Sequence, residues 1–504
     1  MILEYKIDYR SSSLLYEKIF LELLEEFNLN GNIERDHFDL RLYIESETPE
    51  PLESFATKLS LSLPHSIFLY GIEASIVESM PEQRYELPSH TKIPSPPCPK
   101  CLEKIKESYD IYQECSVCGY GAERREVDYR DIVQRVEDNE SVKIDTLYGR
   151  YTIGRVSTLP KDSDRYNILA YDLATIERYG ANIEEYELKA LGAFERPIVR
   201  VKKSMKFTID YENIESDLIY FGLADDGLLT ILMEELHSID IDMIYISREP
   251  NDRLEVVASP KEVLIVDGSR GVSSVIYEHK LKDRYQNIAS IYLSKEYKNN
   301  ILVYGERYGT VEYLSLNFKF NSISDIFRDM ESSTESAKRL IENYRAKFPE
   351  HYAKISSIEF DNRDFNIYKL WGLIAIILDF TTSQNPLDGA KEIDEASMSF
   401  LGDRGPRIDY KLNSVNGKKV SLDGLMVIKT AMSFHLAGVD RLGLAYGMVE
   451  SFIEFLSNQV DEIKDSMGVE AVVVSGSLLS NRRVFTNISK ELSLNSEVYF
   501  TNEM

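Results

Sequence analysis

All four cysteines of this chain fall in one short stretch: Pro96-Pro97-Cys98-Pro99-Lys100-Cys101, followed by Cys115-Ser116-Val117-Cys118-Gly119. They form two Cys-x-x-Cys pairs separated by thirteen residues. Each pair turns tightly enough for both sulfurs to reach one ion, and two pairs complete a tetrahedral four-thiolate shell. Such a shell leaves no open coordination position, so the ion, zinc by its usual preference, is structural. Gly119 suits the left-handed turn that ends a knuckle. The other readings of Cys98, Cys101, Cys115 and Cys118 are two disulfides or four buried thiols. Disulfides fit poorly with a chain that shows no secretory signal and no further cysteine. A finger this short is expected to act as a clip between larger domains.

The length, 504 residues, is enough for about three or four domains. No apolar run reaches the roughly 18 residues that a membrane span needs. Met1-Ile2-Leu3-Glu4-Tyr5-Lys6 lacks a basic region followed by an apolar core, so a cytoplasmic location is expected. A net charge of −26 argues against a nucleic-acid partner, because phosphate binding needs a basic face.

Residues 1–85 read as a small α/β unit. Ile2 to Tyr9 alternates as a strand, and Ser13 to Phe27 carries apolar residues at helical spacing. Phe38 to Ile44 alternates again, Leu52 to Leu63 is amphipathic, and Ser66 to Val77 reads as a strand. The order is β-α-β-β-α-β, a ferredoxin-like split pattern. The finger spans 94–122. In 125–252, Tyr166 to Tyr171, Ile198 to Val201 and Met243 to Ser247 read as strands, and Leu228 to Leu236 as a helix.

The last domain is placed at 258–504. Glu262 to Val266 reads as a buried strand running into Asp267-Gly268-Ser269, with Ser273 to Tyr277 as hairpin partner. The pair reads either as an ordinary Asp-Gly hairpin or as a phosphate-facing turn. Leu370 to Leu378 is an apolar helix, and Val427 to Leu436 another, carrying His435 as a packed residue. Val469 to Ser475 is a buried strand ending in Gly476-Ser477, ahead of Leu478-Leu479-Ser480-Asn481-Arg482. A strand that ends in glycine and opens a helix can bring backbone N–H groups to an anion.

These stretches, in this order, resemble the HypF family, the carbamoyltransferases that help mature nickel–iron hydrogenases. The resemblance implies an α/β multidomain chain. Its parts are an acylphosphatase-like ferredoxin-like domain, a zinc finger, a YrdC-like α/β domain and an actin-like (ASKHA) domain. Leu191 to Val199, with Arg196-Pro197-Ile198, resembles the "RPI" stretch of YrdC-like domains. Leu370 to Leu378 resembles the "GRLFDAVAALLG" helix of the family's catalytic half, and Glu392 to Met398 resembles "YEGQAAM", with Asp394 in place of the glycine. Val469 to Arg482 resembles "VALSGGVFQNR". By that resemblance Asp267, Gly268, Ser269, Gly476, Ser477 and Asn481 are the nucleotide-facing residues, and ATP is the further ligand that it allows.

Other family features are missing. The loop Arg10-Ser11-Ser12-Ser13 lacks the glycine-rich phosphate cradle of acylphosphatases. In the YrdC-like stretch, Lys143, Arg150 and Arg155 do not have the spacing of the family's Lys-x-Arg constellation. The seven histidines (His37, His65, His90, His237, His279, His351 and His435) never fall within five residues of one another, so no "HHAHIA"-type cluster exists. The expectation is a short, divergent relative of the HydE type with no catalytic residues of its own, acting as an accessory or scaffold. Its expected partners are hydrogenase subunits or other maturation proteins. Two alternatives stay open: an active carbamoyltransferase using carbamoyl phosphate and ATP, and a zinc-containing interaction protein unrelated to hydrogenases.

Overall fold

The computed structural model describes residues 1–11, 13–36, 39–82, 85–87, 96–112, 114–121, 127–159, 166–247, 253–267, 285–305, 309–360, 365–415 and 418–501. It is a mixed α/β chain that divides into two units, Met1–Val275 and Ile276–Met504. Among the described residues, no helix is long and apolar enough to cross a membrane.

The first unit opens with the split pattern. Strands Ile2–Tyr9, Asn30–Asp36, Asp39–Glu45 and Leu69–Val77 alternate with helices Leu15–Glu26 and Pro49–Ser62. The sheet order is 30–36, 39–45, 2–9, 69–77, with every neighbour antiparallel. Ile7 faces Leu40 and Ile33 faces Leu42, and all four are buried. Alternating apolar residues on one face bury that face under the two helices, as the period of two requires. Asn30–Asp36, the strand not delimited from sequence, carries only Ile33 as an apolar residue.

A nine-stranded mixed sheet follows. Its central strands are 198–203, 218–223, 166–170 and 243–247, in that order. Leu218–Leu223 runs parallel to Tyr166–Ala170 and antiparallel to Ile198–Lys203. Helix Gly227–His237 starts where Asp226 accepts from the N–H groups of Leu228 and Leu229, a side-chain N-cap. The edge strand is Val263–Asp267, paired with Glu255–Ala258. By packing the chain divides after 275, and Leu264 and Ile265 are buried, Ile265 in the first unit's core. Gly268, Ser269 and the hairpin partner Ser273 to Tyr277 lie outside the described residues.

The second unit is built on a seven-stranded sheet in the order 412–415, 418–422, 309–315, 300–305, 287–292, 471–475, 497–501. Strands Asn287–Tyr292, Ala471–Ser475 and Glu497–Thr501 are parallel neighbours. Helices Ile367–Ile377, Pro386–Ser399 and Arg441–Met467 belong to this unit. Gly372 and Gly389 let the first two approach backbone to backbone, since a Cβ on Gly372 would overlap the Pro386 carbonyl. Parallel sheets place ligand sites beyond the carboxyl ends of their strands, and here those ends lead into Leu293 and Gly476.

Candidate functional site

Two places in the chain gather chemistry-bearing side chains: the cysteine finger of the first unit and the strand ends of the second.

In the finger, Cys98 precedes helix Pro99–Ser108, whose first turn carries Cys101. Proline at the first helical position presets the backbone there. The second knuckle closes through main-chain N–H groups. Cys118 N–H reaches the Cys115 sulfur at 3.5 Å, Tyr120 N–H reaches the Cys118 sulfur at 3.4 Å, and Gly119 turns at φ +76°. All four sulfurs lie within 4.8 Å of one another, and none is in a disulfide. Cys98–Cys101 and Cys101–Cys118 are 3.6 and 3.8 Å apart. A tetrahedral ion with metal–sulfur bonds of about 2.3 Å would space its sulfurs about 3.8 Å apart, so the donor set fits a metal such as zinc. Packed this closely the thiols cannot ionise independently. Hydrogen bonding from Cys101 holds the Cys115 thiol well below its ordinary pKa, while the contact with Cys115 pushes Cys101 far up. A divalent cation relieves that conflict by taking all four as thiolates. Among the described residues no other group of three or more His, Cys, Asp or Glu side chains is placed to share an ion.

The finger touches elements on two sides. Lys100 pairs with Glu22 of the Leu15–Glu26 helix at 2.6 Å. Lys106 pairs with Glu234, and Tyr109 donates to Glu235 at 2.6 Å, both on the Gly227–His237 helix. Cys98, Cys101, Cys118 and buried Tyr120 join the core that also holds Phe20, Phe55, Phe207 and Phe221.

At the strand ends of the second unit, Gly476 adopts φ +110°. A Cβ there would overlap the Leu293 carbonyl, so the close approach that glycine permits is made to the protein's own backbone. Ser477 Oγ accepts from Lys295 N–H at 2.9 Å. The helix expected to open at Ser-Gly starts later. A short 3₁₀ turn, Ser477–Ser480, intervenes, and Arg482–Leu492 is capped by Asn481, whose Oδ1 accepts from Arg483 and Val484 N–H. The other end of that carboxamide donates to Asp394 Oδ1 at 2.6 Å and to Ser397 Oγ at 3.0 Å. Asp394 is 3 % exposed, and its second oxygen meets Lys295 Nζ at 3.1 Å. Gly476, Ser477 and Asn481 are thus brought together around an ion pair between Lys295 and Asp394. Asp267 lies on the edge strand of the first unit.

Lys295 and Ser397 were not singled out from sequence. The available signal was a carboxylate at Asp394 on a helix face otherwise buried through Ala390, Ile393 and Ala396, since a buried acid needs a partner. In the first unit, Arg150 pairs with Asp145 and Arg155 reaches the Glu137 carbonyl, so neither turns to a common site with Lys143. A buried pair, Arg253 with Asp225 at 2.9 Å, also escaped the sequence reading. Beside the loop after the first strand, Arg35 of strand Asn30–Asp36 donates to Glu17 at 2.6 Å and to the carbonyls of Tyr9 and Ser11. Its fork is filled by the helix carboxylate and these two carbonyls. Burial pushes the Glu17 carboxyl up, with Arg35 opposing.

No family model matches the chain. It is 25 % identical over 495 residues to Protein HydE of Wolinella succinogenes, covering 90 % of this chain and 89 % of that protein. Full-length HypF in its phosphate- and nucleotide-bound form superposes with a TM-score of 0.60 at 11 % identity, over 99 % of this chain and 95 % of that one. T. kodakarensis HypF gives 0.64 at 10 % identity, over 100 % and 96 %. The chain has the fold of full-length HypF from end to end.

Proposed function

We propose that this chain is an accessory factor in nickel–iron hydrogenase maturation, a HypF-like body that serves as a scaffold for hydrogenase subunits or other maturation proteins. Likeness to HydE along nine-tenths of the chain and to HypF over its whole length supports the pathway. The observation that carries the non-catalytic part is the Lys295–Asp394–Asn481 network. A nucleotide phosphate at these strand ends would meet a buried carboxylate, and the lysine that could hold it is already paired. Opposite charges so placed satisfy one another, and a second anion adds repulsion. Arg35, likewise, is held by Glu17 and two carbonyls. The four cysteines hold zinc as a folding element. The domain order read from sequence is part of this proposal, with the finger acting as a clip.

Two experiments on the purified full-length protein test this. Affinity capture from the native cell should retain hydrogenase subunits or maturation proteins in stoichiometric amount, and their absence would remove the pathway assignment. Incubation with ATP and carbamoyl phosphate should release no AMP above background. Turnover that is lost on Lys295→Ala would establish the active carbamoyltransferase instead.

A further inference from the structure

The four-stranded sheet at the start of the chain has two edges, and they are finished differently. One edge, Asn30–Asp36, carries Glu34, Arg35 and Asp36, and its apolar residue, Ile33, is buried. Charges on an edge discourage a further strand from pairing there. The other edge is Leu69–Val77, paired on one side with Ile2–Tyr9. Among the described residues no strand pairs with its other side. Its start is fixed in place. Arg10 N–H donates to the Phe68 carbonyl at 2.9 Å, and the Arg10 guanidinium lies 3.5 Å over the Tyr70 ring. From Gly71 to Ile76 every residue is exposed.

This open run, Gly71-Ile72-Glu73-Ala74-Ser75-Ile76-Val77, holds neither lysine nor proline. Its register with the first strand shifts only between Asp8 and Tyr9, at the start of the run. The usual devices that blunt an edge are therefore missing from its length. Its one charge, Glu73, stands opposite Lys6 of the neighbouring strand. Ile72, Ala74 and Ile76 stand opposite Ile7, Tyr5 and Leu3, so they share the face on which Ile7 is buried. The cover stops short of them: Ile72 is 46 % exposed and Ile76 is 70 % exposed.

The pattern is complementary to itself. A twofold axis through Ala74 sets Ile72 of one copy opposite Ile76 of the other, Ala74 opposite Ala74, and Glu73 opposite Ser75. An axis one residue earlier sets Glu73 against Glu73, and one residue later sets Ile72 against Glu78. Facing isoleucines stabilise an antiparallel pair, and facing like charges oppose it. In such a pair the main-chain groups of every second residue point away from the strand already bonded, which leaves a ladder ready for another. We propose that Leu69–Val77 pairs antiparallel with the same strand of a second copy of this chain, joining the two sheets into one across a twofold axis at Ala74. An isologous contact of this kind closes on itself, so growth stops at the dimer. One pair of edge strands is a small contact, so the dimer is weak and depends on concentration.

The proposal does not rest on the maturation pathway and is tested without it. Sedimentation velocity of the zinc-loaded full-length protein, from sub-micromolar to a few hundred micromolar, should show monomer passing into dimer. Ile76→Lys puts a charge into the apolar row and should weaken the dimer about tenfold or more. Because Ile76 is exposed, the thermal midpoint of the dilute monomer should not move. Leu61→Lys, at an 81 % exposed position on helix Pro49–Ser62, should leave the dimer intact. Ala74→Cys should cross-link the two copies through a bifunctional thiol reagent where the parent does not. A chain that stays monomeric throughout, or a dimer that survives Ile76→Lys or is lost on Leu61→Lys, overturns the proposal. Amide protection of 71–77 that appears only when a purified maturation protein is added, with the chain itself monomeric, would give the edge to a different occupant and overturn it too.

Discussion

Gly476 sits at φ +110° against the Leu293 carbonyl, so a single methyl group meets both an unfavourable backbone region and a clash. Gly476→Ala is expected to lower stability by about 2 kcal/mol, the scale of one strained residue, read as a shifted urea midpoint. Asn481→Ala should cost about 1 kcal/mol through the lost helix cap. It also removes a partner of Asp394, so its effect should not add to that of Asp394→Ala. Glu262 gives a pH signature. Burial pushes its carboxyl from an ordinary 4.5 up to about 7, with Arg10 opposing. Between those values the folded chain keeps a proton that the unfolded chain releases, so this group's contribution to stability falls as pH rises from about 4.5 to 7. Glu262→Gln should raise the thermal midpoint at pH 8 relative to the parent and leave it nearly unchanged at pH 4. Of these residues, Gly476 and Asn481 were legible in the sequence through the strand–glycine pattern. Lys295 was not, because its role arises only when the strand ends at 292 and 475 come side by side.

Among elements, strong periodicity decided what could be read. Met243–Ser247 matches its expected bounds, and helix Ile367–Ile377 covers most of the apolar run 370–378. The 27-residue helix Arg441–Met467 went unread because its buried surface is broad. Leu444, Ala445, Met448, Phe452 and Phe455 are interleaved with Gly443, Gly447 and Ser451, which blurs the 3.6-residue period. The four-cysteine cluster was legible to the residue, since chemistry dictates the spacing of thiolates that can share one ion. Metal removal is its test. With one equivalent of zinc bound, a chelator should lower the thermal midpoint sharply, and Cys101→Ser should reproduce that loss, because structural zinc contributes folding energy directly. No change on either treatment would return the four cysteines to the role of ordinary core thiols.

At the scale of the whole molecule, the chain divides into two units after 275. The strand read from Glu262 to Val266 was assigned to the last domain, and in the structure Val263–Asp267 pairs with Glu255–Ala258 at the edge of the first unit's sheet. The likeness to HypF persists at 10–11 % identity because buried alternation and helix–helix contacts constrain residue type more tightly than residue identity. Locally, a carboxylate at 394 sits among the strand ends, and Arg35 on strand Asn30–Asp36 is held by Glu17 and the carbonyls of Tyr9 and Ser11. The central proposal is that Lys295, Asp394 and Asn481 saturate one another at the strand ends of the second unit, leaving no nucleotide site there. Isothermal titration of the zinc-loaded full-length protein with ATP, in the presence of magnesium and carbamoyl phosphate, tests it most directly. The account predicts no saturable heat up to millimolar nucleotide. One-to-one binding at micromolar affinity, abolished by Lys295→Ala, would contradict it.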